Sequence, residues 1–173
     1  MDSEGLGSTE EDVNHDLRLF SLTVLLSSAF MYNTVGAVDE NAIDSLGLVL
    51  RLCEHLRNEK FNDFPDFYWI LRDFSLALIG KDNVPLTTKM YLENCLCSQP
   101  GDSELRNKIR DSIKTAFNNR DCFTFVRPLT DEASLQNLDK MSLEELRPEF
   151  VEQVLDFRKN IFNKLKIKSI KGR

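Results

Sequence analysis

Three short stretches hold residues whose types and spacing suit nucleotide chemistry. The first is Asp2-Ser3-Glu4-Gly5, a D-x-x-G turn immediately ahead of a helical pattern. An aspartate at a strand end holds a magnesium ion through water, and the N–H of the glycine can meet a terminal phosphate. Alone, the tetrapeptide is a common pattern. The second is Arg72-Asp73, directly after the apolar run FYWIL. A carboxylate there accepts from both N1–H and the exocyclic amine of guanine, a pairing adenine does not supply, while the Arg72 side chain lies over or beside the base. The competing reading is an Arg72–Asp73 ion pair that ends the strand. The third is Arg127-Pro128, which leaves the run CFTFV and starts a loop able to cap a base. Here the competing reading is strand termination by proline.

These residues need elements to position them, and in an open α/β sheet ligands bind off the carboxyl ends of the strands. The pattern supplies such a sheet. Residues 16–32 begin with helical spacing and end in a short strand within SAFMYNTVG. DENAIDSLGLVLRLCEHLRNEK places Ile43, Leu46, Val49, Leu50, Cys53 and Leu56 on one stripe behind a cap at Asp39, which predicts an amphipathic helix. The run Phe67–Leu71 is apolar at every position, as expected of a strand covered on both faces. Further helices are predicted from Thr87 or Thr88 and from Asp102 or Ser103, and a second buried strand in CFTFV. After RPLTDEAS comes a loop. A last helix follows, with Ser142 and Glu145 at capping-box spacing and Phe150, Val154, Phe157 and Ile161 as its apolar stripe. Alternating strands and helices predict an α/β doubly wound fold with a mostly parallel sheet.

Composition sets the outer limits. A chain of 173 residues with 42% hydrophobic residues, 12 Phe and only 7 Gly and 5 Pro reads as one globular domain. A net charge of −6 excludes a general nucleic-acid binder, which needs a basic surface to neutralise phosphates. The one basic run, at 159–173, suits an anionic membrane surface or, more plainly, a solvated helix end. Cys53, Cys95, Cys97 and Cys122 lack zinc-ligand spacing. With no leader pattern and no apolar run of membrane-spanning length, a cytoplasmic protein with reduced thiols and no membrane span is expected.

The order and spacing of DSEGLG, LLSSAFMYNTVG, FPDFYWILRDFSL, YLENCL, CFTFVRP and PEFVEQVLDF resemble the guanylate-binding proteins, large GTPases related to atlastins. The resemblance runs over nearly the whole chain. It implies a P-loop GTPase-like fold in which Asp2 and Gly5 are the switch-two D-x-x-G, with Asp2 reaching Mg2+ through water and Glu4 organising the water network. It likewise implies that Arg72 and Asp73 are the family's R-D guanine-recognition motif. Arg127 then begins the guanine cap, which closes over the base and meets its counterpart in a nucleotide-dependent homo- or heterodimer of related GTPases. G-x-x-x-x-G-K-[ST] does not occur in these 173 residues. The P-loop, catalytic arginine and switch-one threonine are therefore expected before Met1, making residues 1–165 a partial GTPase domain, incomplete at its N-terminus, and 166–173 a basic tail. Such a domain hydrolyses GTP with magnesium when complete, and this chain alone is expected to be inactive. Val126 stands where family members often have an acidic residue, and LTDEAS continues where many are basic. The alternative is a non-catalytic interaction module that associates with full-length relatives.

Overall fold

The computed structural model describes residues 13–56, 64–98, 101 and 103–165. Three parallel strands, β1 (Ala29–Val35), β2 (Asp66–Arg72) and β3 (Arg120–Thr124), form a sheet in that order. Ala29 lies opposite Asp66 and Val35 opposite Arg72 on one side of β2, and Phe67 opposite Arg120 on the other. The apolar run Phe67–Leu71 becomes the central strand, buried throughout. Around the sheet lie α1 (Val13–Leu26), α2 (Glu40–Leu56), α3 (Thr88–Cys95), α4 (Glu104–Ala116), the short α5 (Glu132–Leu135) and α6 (Pro148–Lys164).

Local chemistry sets the helix starts. The Asp39 carboxylate accepts from the Ala42 N–H at 2.7 Å and opens α2, whose Ile43, Leu46, Val49, Leu50 and Cys53 are buried. Of the two threonines before α3, Thr87 caps it, accepting from the Met90 N–H, and Ser103 does the same for α4. A Cβ added at Gly47 would lie 2.5 Å from a methyl of Ile109, so glycine lets α2 and α4 approach closely.

Helices cover the sheet from both sides, as the doubly wound reading requires. On one face Phe67, Trp69 and Leu71 pack with Phe20 and Val24 of α1, Leu46 and Leu50 of α2, and Ile113 of α4. On the other, Tyr68 and Ile70 meet Phe125 and Ile161, with Phe123, Phe150, Val154 and Phe157 packed around them. The apolar stripe read from α6 therefore faces the sheet. Burial pushes the Cys122 thiol up to about 12, helped by the neighbouring Cys95 and Asp121, and none of the four cysteines is in a disulfide.

Three boundaries differ from the sequence reading. β3 begins at Arg120, ahead of CFTFV, and its pairing runs on through a Phe125 N–H to Leu71 carbonyl bond of 2.8 Å. The Ser142–Glu145 capping box closes a separate 3₁₀ turn at Leu143–Glu145, and α6 starts only at Pro148. Proline disfavours helical backbone in the residue before it, and Arg147 takes φ −57°, ψ 130°. Within LTDEAS, Asp131 caps the one-turn helix α5. Among the described residues no helix is long and apolar enough to cross a membrane. The D-x-x-G turn at 2–5 and the basic tail at 166–173 lie outside the described residues.

Candidate nucleotide-base site

Where β2 ends, the chain turns through Asp73, whose φ of 53° is left-handed. Asparagine and aspartate tolerate this region better than other side chains, but it still costs energy and persists only where neighbours impose it. They do so here. The Arg72 carbonyl accepts from the Gly36 N–H at 2.6 Å, and the Phe74 N–H donates to the Phe125 carbonyl at 2.9 Å, so both peptides flanking Asp73 are tied to adjacent segments.

This turn forms one wall of an open cavity of about 780 Å3 at the carboxyl end of the sheet. Asp73, Phe74 and Ser75 line it from the β2 exit, and Thr124, Val126 and Arg127 from the β3 exit. Leu76 and Leu78 continue the β2 side, and Arg147, the residue before α6, and Gln153 of α6 line it as well. The Asp73 carboxylate has no hydrogen-bond or ion-pair partner among the described residues. Arg127 donates from Nη1 to the Glu132 carboxylate at 2.9 Å, while its buried Nε–H has no partner among the described residues. The cavity thus presents a carboxylate acceptor from one strand exit and a partly engaged guanidinium from the next.

Of the predicted base-site residues, the structure brings Asp73 and Arg127 to one cavity. Arg72 is absent from the lining. Its Nε–H donates to the Asn33 side-chain carbonyl on β1 at 2.9 Å, and no Arg72–Asp73 ion pair exists. Asp2, Glu4 and Gly5 lie outside the described residues. Arg147 and Gln153 were missed. A signal for Gln153 was available: it is a polar residue at helical spacing from Phe150 and Phe157, on a stripe otherwise apolar.

The model of the guanylate-binding protein N-terminal domain matches residues 1–170. The chain belongs to the guanylate-binding protein family. It is 40% identical over 191 residues to guanylate-binding protein 1 of Homo sapiens, covering 99% of this chain and 32% of that protein. With guanylate-binding protein 6 of Mus musculus the figures are 39% over 190 residues, 99% and 31%, and with human guanylate-binding protein 3 they are 39% over 189 residues, 99% and 31%. The chain spans about a third of the length of these guanylate-binding proteins.

Proposed function

We propose that this cavity receives the base of a guanine nucleotide, as part of a guanylate-binding-type GTPase domain. The observation that carries this is the convergence of Asp73 and Arg127, from two separate strand exits, on one cavity in a member of this family. Asp73 accepts from N1–H and the exocyclic amine. Its carboxylate needs no other partner displaced, and its fixed backbone holds it in place before ligand arrives. Arg127 supplies a donor from the β3 side, and Arg72, released from Asn33, lies beside the base. In the complete domain Asp2, Glu4 and Gly5 face the γ-phosphate and GTP is hydrolysed by a positioned water. Asp2 would hold magnesium there through water, and the ion would supply neutralisation of phosphate charge. Among the described residues no His, Cys, Asp or Glu cluster is arranged for a metal. Residues 1–165 form the part of that domain from switch two to its last helix, and a protein of these 173 residues, without G-x-x-x-x-G-K-[ST], is expected to show no GTP turnover.

The test is Asp73→Asn in a chain carrying a relative's phosphate-binding segment at its amino terminus. Replacing an acceptor oxygen by a donor mismatches the guanine edge and costs about 2 to 3 kcal/mol, on the order of a hundredfold in GDP affinity. Xanthine has a carbonyl where guanine has its amine, so XDP should then bind better than GDP. Competition titrations on both variants read this directly, and an unchanged preference for GDP removes Asp73 from the site.

A second reading, an interaction module that associates with relatives, is favoured by a different observation. β1 is an edge strand of the described sheet, and Met31 and Val35 on it are exposed together with Leu22 and Leu26 of α1.

A further inference from the structure

We propose that Gln153 and Arg147 are positioning residues of the base site, holding the β3 exit so that Arg127 stands at the cavity Asp73 lines. The β3 exit outruns its own sheet. Phe125 makes the last bond to β2, donating to Leu71 and accepting from Phe74. In an extended chain the next N–H points the other way. The Val126 N–H does so, and meets the Gln153 Oε1 at 2.8 Å. An amide side chain on α6 thereby takes the place of a neighbouring strand. The next two residues are held from the same place: the Arg127 carbonyl accepts from Arg147 Nη1 at 3.4 Å, and the Pro128 carbonyl from the Arg147 N–H at 2.9 Å. Three consecutive residues, 126–128, are thus fixed by the first turns of α6, and the middle one is Arg127.

Arg147 and Gln153 also line the cavity, so the clamp and the site share residues. A polar amide on the apolar stripe of α6 has to recover its desolvation cost through a bond, and the Val126 N–H supplies it. Were Gln153 present only to fill space between Phe150 and Phe157, leucine would serve better. Beyond Pro128 the chain leaves on α5 and returns at Arg147, so the same residue closes the neck of the loop whose Glu132 holds Arg127.

For its ligand this inference rests on the base-site reading; the clamp is read without ligand. The experiment uses the whole 173-residue chain and two NMR readouts, hydrogen exchange of the Val126 amide and titration with guanosine against adenosine. Gln153→Leu removes the acceptor and keeps the volume, and should speed Val126 exchange about tenfold, the worth of one hydrogen bond, while the guanosine preference falls by a similar factor. Gln153→Glu keeps an acceptor oxygen and should restore both. Arg147→Met, which leaves the backbone bond to Pro128, should lower the guanosine preference with less effect on Val126. Gln153→Leu with protection and preference intact overturns the proposal, as does Gln153→Glu failing as badly as Gln153→Leu. If the unaltered chain shows no guanosine preference, the base-site reading fails while Val126 exchange still decides the clamp.

Discussion

β1 and β2 are neighbouring strands of seven residues each, parallel and in register, yet β2 is buried from Phe67 to Leu71 while β1 alternates, with Met31 43% and Val35 59% exposed. Composition does not explain this, since AFMYNTV carries no charge at all and DFYWILR carries two. Neighbours do. β2 has a strand on each edge and helices on both faces, whereas among the described residues β1 has a strand on one edge and its outer face beyond Ala29 is uncovered. A parallel strand is stabilised by what flanks it. The candidate site lies on the covered side, where β2, β3 and α6 converge and where Asp73 is held in a costly conformation.

The largest test of this contrast compares one side chain from each strand. Trp69 is fully buried, packs edge-on against Tyr32 and Phe67, and donates from its indole N–H to the Thr34 hydroxyl at 2.9 Å. Trp69→Ala leaves a large cavity and should cost about 3 to 5 kcal/mol, a major part of the 5 to 15 typical of a domain. Met31→Ala should cost less than about 1 kcal/mol. Urea denaturation measures both, and comparable losses would mean that the face of β1 is as well packed as that of β2.

A smaller effect is expected on association. An uncharged edge strand without proline or glycine offers unpaired N–H and C=O groups and apolar side chains, the arrangement natural sheets guard against with charge. The chain should therefore self-associate with rising concentration, and the Met31→Lys, Val35→Lys double variant should shift it toward monomer in sedimentation velocity. A single monomeric species at every concentration would remove the β1 face as a partner surface and with it the support for an interaction module.

Much of the fold was legible because it follows from local rules: the unbroken apolar run of β2, the stripe of α2, the cap at Asp39, and helix starts narrowed to Thr87 or Thr88 and to Asp102 or Ser103. The site was legible only where it coincides with strand ends. Adjacency suggested that Arg72 pairs with Asp73, but Arg72 is the last residue of the strand and Asp73 turns out of it in the left-handed region, so neighbours in sequence are not partners in space. Arg72 instead reaches diagonally across the ladder to Asn33, two residues before its partner Val35. Gln153 was not among the residues read from the pattern, although its helical spacing from Phe150 and Phe157 marks the inner face of α6, and no local pattern says which backbone N–H lies opposite. That depends on how far β3 outruns β2, a tertiary fact. The left-handed turn at Asp73 has the same origin, since the bonds that impose it come from Gly36 and Phe125.

The smallest expected effect separates the covered β3 exit from the exposed loop beyond it. Glu145 lies below its ordinary value of 4.5 because its carboxylate accepts first from the Ser142 N–H, at 2.8 Å, and then from the Ser142 hydroxyl, at 2.9 Å. Asp131 is lowered likewise by the hydroxyl and N–H of Ser134. A carboxylate whose folded value is depressed contributes its full stabilisation above the unfolded value and loses it as pH falls through the folded one. Both groups are exposed, so water screens them and the change is local. Exchange of the Ser142 amide, corrected for its intrinsic rate, should be protected at about pH 6 and lose protection toward about pH 3, while Glu145→Gln should flatten that dependence. Val126 provides the contrast, because its acceptor is the neutral amide of Gln153 and has no proton to gain over this range. Its protection should persist where that of Ser142 is lost. If the two amides lose protection together, the loop and the β3 exit open as one unit, and the boundary between the covered and exposed regions does not fall at Pro128.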